Sequence, residues 1–321
     1  MSLIKKPNEL EINPYIKALI YGQAGTGKTT LALSAPKPLL FDFDGGIHRV
    51  NSAHRVDAVQ IKKYQDFIDV LAEDLSAYNT LVIDTGGKML DYMGEYIISK
   101  NSKMGRPNGM LTLQGYGERK AMFSALVKKI SIMGKHIVFV AHRETKTEGD
   151  DTRYVPLFGG SNYDSLVTEL DLVGYCEMNG NERTVTFNPT SRNDGKNTCN
   201  LPAVMKLPVV VDEIGNPISN NDFLKVQVID AYEERLKKNS ADVDAYNELI
   251  AEIKNEVILI TDAPMANDFI KRVLQWEHIG NSKTVASKEL QKQAEKLGLV
   301  FNKESKKYEA SEQKTAKPSL I

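Results

Sequence analysis

The feature that most constrains this chain is a glycine-rich stretch near its N-terminus. Residues 22–30 read Gly-Gln-Ala-Gly-Thr-Gly-Lys-Thr-Thr and match the pattern G-x-x-x-x-G-K-[ST] at every fixed position. An apolar run precedes them and a helical pattern follows, so strand, loop and helix occur in the order that a phosphate-binding loop needs. The stretch therefore predicts a nucleotide-binding loop made of Gly22, Gln23, Ala24, Gly25, Thr26, Gly27, Lys28, Thr29 and Thr30.

The residue types of this loop account for its chemistry. Glycines allow backbone angles closed to other residues, so that successive N–H groups point at phosphate oxygens. The start of the following helix adds its positive dipole end. Lys28 is expected to reach the β- and γ-phosphates, and the Thr29 hydroxyl is expected to bind Mg²⁺. ATP and Mg²⁺ are the cofactors that the loop predicts.

Acidic residues end two predicted strands that follow the loop. Residues 79–83 form an apolar run before Asp84, which we expect to hold the Mg²⁺ shell together with Thr29. Residues 38–41 lead to Asp42 and Asp44, at the edge of a parallel sheet where ligands bind. Asp44 is a candidate for activating the attacking water, although an acid there could equally cap the turn.

A fourth predicted strand, residues 136–141, ends at His142. In P-loop ATPases with an extra strand between the phosphate-loop strand and the acidic strand, a polar residue at its tip senses the γ-phosphate. His142 has this position and can donate to a phosphate oxygen; the alternative is a structural histidine at a sheet edge. The polar residues 143–160 that follow are interpreted as a long loop, either functional or disordered.

One segment is locally basic in a chain whose formal net charge is only −1. Residues 100–110 contain Lys100, Lys103 and Arg106, two glycines and a proline, and no acid. We expect an exposed, mobile loop and name the three cations as candidate contacts to a nucleic-acid backbone. A simply solvated loop explains the composition equally well.

Composition limits the class of protein. With 41% hydrophobic and 26% charged residues in 321, the chain has the make-up of an ordinary globular protein. No apolar run approaches membrane-spanning length, and the N-terminus lacks the apolar stretch of a signal peptide. The two cysteines lack metal-ligand spacing. We expect a cytoplasmic protein with no membrane partner.

The motif order resembles that of phage RecA-like ATPases, in the group of nucleotide-binding and single-strand annealing proteins. The resemblance covers roughly residues 14–212 and includes the segment around Lys196. It implies an α/β fold: a RecA-like P-loop NTPase with a mainly parallel central sheet flanked by helices. We place this core at residues 1–222, a mainly helical C-terminal extension at 223–310, and a disordered tail at 311–321.

The resemblance also implies a function. Such proteins are phage or prophage ATPases that form homo-oligomers on single-stranded DNA, alongside single-strand binding or other recombination proteins, and residues 101–112 and 143–160 match their DNA-binding loops. A Lys-x-Arg finger reaches a neighbouring subunit's nucleotide in this group. Lys196 fits it, but Thr198 occupies the arginine position and Arg192 is a possible substitute. Two alternatives stay open: a nucleotide-gated scaffold or helicase loader with little hydrolysis, and a small-molecule kinase.

Overall fold

A computed structural model describes residues 13–148, 151–160 and 163–310. These residues divide into two compact units, Asn13–Glu234 and residues 235–310. The predicted tail, residues 311–321, lies outside the described residues. Each unit is described by itself below.

Within its described residues, the first unit contains one sheet of ten strands. The strands are β1 (Lys17–Gly22), β2 (Pro38–Asp42), β3 (Ala58–Gln60), β4 (Thr80–Asp84), β5 (His136–Glu148), β6 (Asp151–Pro156), β7 (Leu172–Asn179), β8 (Glu182–Thr186), β9 (Lys196–Asn197) and β10 (Val204–Lys206).

The order of strands confirms the predicted α/β architecture. Along the sheet it is β10-β8-β7-β1-β5-β4-β2-β3, with β6 paired to β5 and β9 paired to β7. The strands from β7 to β3 run parallel, whereas β8 and β10 join antiparallel. Strand β5 lies between β1 and β4, and Gly22 is in register with His142. The predicted extra strand is therefore present, and the phosphate loop begins at the same sheet edge as His142.

Helices cover both faces of this sheet. Alternate residues of β1 show the division: Leu19 and Tyr21 belong to one buried cluster, and Ala18 and Ile20 belong to another. The helices are α1 (Lys28–Ala32), α2 (Tyr64–Val70), α3 (Gly86–Lys100), α4 (Leu113–Ile132) and α5 (Tyr163–Val167). Helices α2 to α5 pack on the first face, which contains Leu19 and Tyr21. The short helix α1 packs on the second face, together with the π-helical stretch Leu224–Asp230.

The interpretation of residues 143–160 as a long loop is wrong for most of that segment. Strand β5 continues past His142 to Glu148 and pairs antiparallel with β6, from Arg143 opposite Pro156 to Glu148 opposite Asp151. At the base of this hairpin the Arg143 guanidinium lies 4.2 Å from the Tyr154 ring centroid, and the Tyr154 ring stacks on Tyr175. Backbone pairing and these ring contacts give the polar segment a defined structure.

The basic segment between α3 and α4 is a hydrogen-bonded turn rather than an irregular loop. Its two ends pair through the Arg106 N–H, which donates to the Met110 carbonyl at 2.7 Å, and the Thr112 N–H, which donates to the Met104 carbonyl at 2.8 Å. Leu111 is buried in the core cluster of the first face. The expected mobile loop is thus replaced by a turn whose apolar residue anchors it.

The second unit is mainly helical, as the apolar spacing predicts. It contains α6 (Ala231–Ile258) from residue 235 onward, α7 (Ala263–Val273) and α8 (Ser282–Lys296), whose apolar residues, Ile253 and Phe269 among them, form one buried cluster. Asp262 caps α7 by accepting from the Met265 N–H at 2.8 Å. Two short strands that the helical prediction did not include, β11 (Leu299–Asn302) and β12 (Lys307–Ala310), form an antiparallel hairpin.

None of the helices in the described part of the chain combines the length and apolar character needed to cross a membrane.

Candidate nucleotide-binding site

The phosphate loop connects the carboxyl end of β1 to α1. Gly22 passes so close to β7 that a Cβ atom would collide with the Cys176 carbonyl oxygen. Gly25 and Gly27 both have φ of 81°, in the left-handed region that favours glycine. The Thr26 hydroxyl donates to the Gln23 carbonyl at 2.9 Å and closes the loop on itself. Glycine is therefore required at Gly22 by the close approach of β7, and at Gly25 and Gly27 by their backbone angles.

Lys28 is buried under this loop, with 6% of its surface exposed. Its Nζ donates to the Gln23 carbonyl at 2.7 Å. Burial lowers the pKa of Lys28, while the nearby Cys176 and Asp84 act in the opposite direction. A partly desolvated ammonium group is well suited to bind phosphate oxygens, because charge-assisted hydrogen bonds strengthen when water is excluded.

Thr29 and Asp84 form the second element of the site. The Thr29 hydroxyl donates to Asp84 Oδ2 at 2.5 Å, which joins the start of α1 to the end of β4. Burial raises the pKa of Asp84, and the hydrogen bond from Thr29 acts to lower it. The negative charges of Asp42 and Asp44 raise the pKa of Asp84 further. A hydroxyl and a carboxylate held together supply the hard oxygen donors that Mg²⁺ prefers. The pair fits the predicted metal site.

The two carboxylates after β2 have different surroundings. Asp42 is almost fully buried and accepts from the Gly46 N–H at 2.9 Å and the Ile47 N–H at 3.1 Å, so it holds the turn. Asp44 forms an ion pair with Arg49 at 3.4 Å, and 29% of its side chain is exposed. Only Asp44 is therefore accessible to an attacking water.

A cavity of about 430 Å³ opens beside Asp44 and brings several predicted and unpredicted residues together. His142, which is exposed, lies in its wall together with the first turn of α3, the first turns of α4 and the end of the hairpin. Its lining residues are Asp44, Thr85, Gly87, Lys88, Leu90, Asp91, Tyr116, Arg119, His142, Leu157, Phe158, Gly159 and Gly160.

Arg119 is the unexpected residue of this cavity. It is 8% exposed, its Nη2 donates to the Gly159 carbonyl at 3.2 Å, and its guanidinium lies 4.9 Å from the Tyr116 ring centroid. Its Nε has no hydrogen-bond partner among the described residues. Burial lowers the pKa of Arg119, and the charge of Asp91 opposes the effect. The wall of the cavity thus contains a buried cation with an unsatisfied donor.

A second cavity, of about 230 Å³, lies beside Thr26, Gly27 and Thr30. It shares no lining residue with the first cavity, and most of its opposite wall comes from residues 207–223. Arg183 of β8 reaches it, and the Arg183 Nε is buried without a hydrogen-bond partner in the described part of the chain. A single arginine on α4 or on β8 carries no pattern, so the sequence offered no signal for either.

Comparison with known proteins identifies the family. The family model AAA_24, described as an AAA domain, matches residues 15–199, which is more than half of the chain. The chain belongs to this AAA domain family. The matched residues include the phosphate loop, Asp44, Asp84 and His142. No curated protein matches the sequence significantly.

Among solved structures, the AAA domain is similar to the KaiC-like protein PH0186 from the hyperthermophilic archaeon Pyrococcus horikoshii OT3. The identity is 12%, the TM-score is 0.31, and the match covers 53% of this chain and 77% of the other.

The other predicted site residues of the AAA domain lie outside this centre. Lys103 and Arg106 are exposed on the turn after α3. Lys100, the last residue of α3, is also exposed, and its Nζ lies 5.0 Å from the Tyr96 ring centroid. Lys196 Nζ donates to the carbonyls of Val167 and Thr168, at 3.1 and 3.2 Å. The finger candidate is therefore hydrogen-bonded to the end of α5.

Arg192, the possible substitute for the finger arginine, has a more accessible side chain that is 61% exposed. Its guanidinium lies 5.1 Å from the Tyr154 ring centroid, and its Nη1 lies 3.9 Å from Glu177. Whether either residue reaches a neighbouring subunit stays a prediction.

Proposed function

We propose that this AAA domain protein is a Mg²⁺-dependent ATPase that acts on single-stranded DNA, in phage or prophage recombination or annealing. The observation that carries the ATPase part is the 2.5 Å contact between the Thr29 hydroxyl and Asp84, with Lys28 buried beside it. These three residues form the arrangement with which P-loop enzymes hold a metal and a triphosphate.

Hydrolysis requires a water positioned in line with the γ-phosphate. Thr29 and Asp84 would hold Mg²⁺, which when bound neutralises charge on the phosphate oxygens. Asp44 is the carboxylate free to accept a proton from the water, because Asp42 is occupied by two backbone N–H groups. His142, in the same cavity wall, is placed to donate to the γ-phosphate or to the water.

Three features support the DNA part of the proposal. The end of α3 and the turn after it expose Lys100, Lys103 and Arg106. The cavity beside Asp44 is lined by Arg119, a cation that would attract a phosphodiester oxygen. Residues 157–160, which follow the hairpin and end the second region that the resemblance assigns to DNA, line the same cavity. A ligand in this cavity would lie next to the γ-phosphate and could influence hydrolysis directly.

The same cavity keeps the kinase alternative open, because a space of about 430 Å³ beside the γ-phosphate position could accept a small hydroxyl-bearing substrate. The scaffold alternative, in which nucleotide is bound with little hydrolysis, requires none of the cavity residues to act.

One assay distinguishes the proposed DNA-dependent ATPase from the kinase and scaffold alternatives. It measures phosphate release from MgATP in the presence and absence of a single-stranded oligonucleotide. The proposal expects hydrolysis that the oligonucleotide stimulates. It also expects Arg119→Ala to lose the stimulation, whereas Lys120→Ala, which changes an exposed cation one position along α4, should keep it. Slow release that no oligonucleotide changes would favour the scaffold. Consumption of ATP only with a small acceptor would favour the kinase.

A further inference from the structure

The second unit contains a helix followed by a β-hairpin, and both expose lysines. Residues 282–310, which span α8, β11 and β12, contain seven lysines and four glutamates, a net charge of +3. Residues 231–258, which form α6, contain seven acids and four bases. Positive charge is therefore concentrated on one helix and its hairpin, in a chain whose formal net charge is −1.

Helix α8 has a buried face and a polar face. Its buried residues are Ser282, Ala286, Leu290 and Ala294. The other face exposes side chains at helical spacings of three and four, namely Thr284, Ser287, Lys288, Gln291, Lys292 and Glu295. Five of these six side chains can donate hydrogen bonds. The core of the unit already uses the apolar side of α8, so the donor-rich face is the one available to a partner.

Hydrogen bonds fix the position of α8 within the unit. The two ring nitrogens of His278 lie 2.8 Å from the Val273 carbonyl and 2.9 Å from the Ser282 hydroxyl, and so connect the end of α7 to the start of α8. Gln293 Nε2 donates to the Ile260 carbonyl at 3.0 Å, which ties α8 to the segment after α6. The polar face is therefore presented on a rigidly held helix.

The hairpin is fixed beside α8. Two residues separate the end of α8 from β11, and Leu299 of β11 packs against the apolar cluster of the unit. Asn267 Nδ2 donates to the Tyr308 carbonyl at 2.9 Å, and the Tyr308 N–H donates to Asn267 Oδ1 at 2.7 Å. The turn of this anchored hairpin exposes Lys303 and Lys306.

Lys306 has an unfavourable backbone conformation on this turn. Its φ is 53°, in the left-handed region where glycine is preferred. The turn itself is ordered, because Asn302 Oδ1 accepts from the N–H groups of Glu304 and Ser305 at 2.9 and 3.2 Å. A lysine in a strained position on an ordered turn indicates a use for its charge.

We propose that α8 and the turn 303–306 form a basic surface that binds double-stranded DNA. The major groove admits an α-helix, and lysine and glutamine side chains can hydrogen-bond to base edges there. The hairpin lysines would then contact the phosphate backbone, which positions the protein on the duplex. A duplex fits better than a single strand, because α8 contains no aromatic residue on which unpaired bases could stack. This binding needs no nucleotide and goes beyond the function proposed for the AAA domain.

Fluorescence anisotropy of a short labelled duplex, titrated with the full chain in the absence of nucleotide, tests the basic surface. Lys288→Gln and Lys306→Gly should each weaken binding about tenfold, the loss expected for one hydrogen bond to a charged group. Each should also lower the slope of log affinity against log salt by roughly 0.9. The matched control is Lys237→Gln, which removes an exposed cation from α6 and should bind like wild type.

Lys306→Gly separates binding from folding. Glycine relieves the left-handed backbone at this position, so the variant should melt at or above the wild-type temperature while binding the duplex more weakly. Duplex affinity that neither Lys288→Gln nor Lys306→Gly changes would overturn the proposal. Salt-sensitive binding that is confined to single-stranded oligonucleotides, or to phosphatidylserine vesicles, would overturn it as well.

Cross-linking gives a readout that does not depend on variants. With a duplex containing 5-bromodeoxyuridine, the peptides cross-linked to wild type should come from residues 282–307, and cross-links only in the AAA domain would overturn the assignment. Phosphate release from MgATP should proceed at the wild-type rate in Lys288→Gln, because this lysine lies outside the nucleotide site. An active ATPase that binds no duplex would leave the proposed function standing and refute this inference alone.

Discussion

Replacing the buried carboxylate of Asp84 with an amide should stabilise the protein while removing its function. Burial raises the pKa of Asp84, so the charged form is disfavoured in the folded protein. Asn keeps the shape and can still accept from the Thr29 hydroxyl, but it carries no charge. We expect Asp84→Asn to increase the free energy of unfolding at pH 7.5 by an amount on the order of 1 kcal/mol, the size typical of single stabilising substitutions. A gain of that size raises the melting temperature by roughly 2–4 °C per kcal/mol.

Asp42→Asn is a control that should change stability in the opposite direction. Asp42 is equally buried, but its two oxygens accept from the N–H groups of Gly46 and Ile47. An amide offers one acceptor and places its own donor against the second N–H. Hydrogen bonds to charged groups contribute about 1.5–3 kcal/mol, so this variant should melt several degrees below wild type. If Asp84→Asn also melts below wild type, the reasoning about Asp84 is refuted.

The pH dependence of the Asp84→Asn effect provides a second check. A carboxyl group whose folded pKa is raised contributes stability that is complete below its ordinary pKa of 3.8 and is lost as pH rises through the folded value. The advantage of the Asn variant should therefore shrink as pH falls through the raised pKa of Asp84 toward 3.8. MgATP should reverse the order of stability of the two proteins. At 100 times its dissociation constant, MgATP stabilises wild type by about 2.7 kcal/mol. The variant should lack the part of this stabilisation that depends on Mg²⁺. Differential scanning fluorimetry measures all of these shifts.

Three further predictions concern nucleotide and DNA. Lys28→Ala should abolish tight ATP binding in a calorimetric titration, because a charge-assisted phosphate contact is lost; unchanged turnover would contradict the assignment of the phosphate loop. Asp44→Asn should lower phosphate release by about 10²-fold while ATP still binds, and wild-type turnover would place the base elsewhere. The triple change of Lys100, Lys103 and Arg106 to Ala should weaken oligonucleotide binding and reduce the salt slope by roughly 0.7 per lost contact, while basal hydrolysis persists. Oligonucleotide affinity that is insensitive to salt would count against these contacts.

The sequence predicts the nucleotide edge of the sheet well because its signals are local. The glycine spacing requires particular backbone angles, and Gly25 and Gly27 adopt them. An acid at the end of an apolar strand is at the carboxyl edge in any parallel sheet, so Asp84 meets Thr29 by topology alone. The position of β5 between β1 and β4 follows the same logic and places His142 beside the loop.

The polarity of residues 143–156 favours a loop, whereas their strand propensity favours the hairpin that the structure has. Thr145, Thr147 and Thr152 are β-branched residues that flank Gly149-Asp150, a dipeptide typical of two-residue hairpin turns. Strand β5 pairs with β6 in the register that such a turn requires, with Glu148 opposite Asp151. A polar segment with strand propensity on both sides of a turn signal predicts a hairpin even without an apolar face.

The sequence does not predict the positions of Arg119 and Arg183, because these depend on which segments the fold brings together. Arg119 meets Gly159 only because α4 packs beside the segment that follows the hairpin. Arg183 meets the phosphate loop only because β8 joins the sheet on the β7 side of β1. Their common property is a buried Nε that has no hydrogen-bond partner among the described residues, and no sequence motif encodes it.

Charged residues of the site connect the walls of its two cavities. Asp42, Asp44 and Asp84 lie close enough that the first two raise the pKa of the third, while burial lowers the pKa of Lys28. These groups are held together at an energetic cost that Mg²⁺ and a triphosphate would relieve by supplying the missing opposite charges. Asp44 lines the larger cavity, and its ion-pair partner Arg49 lines the smaller one. This ion pair therefore connects the walls of the two cavities.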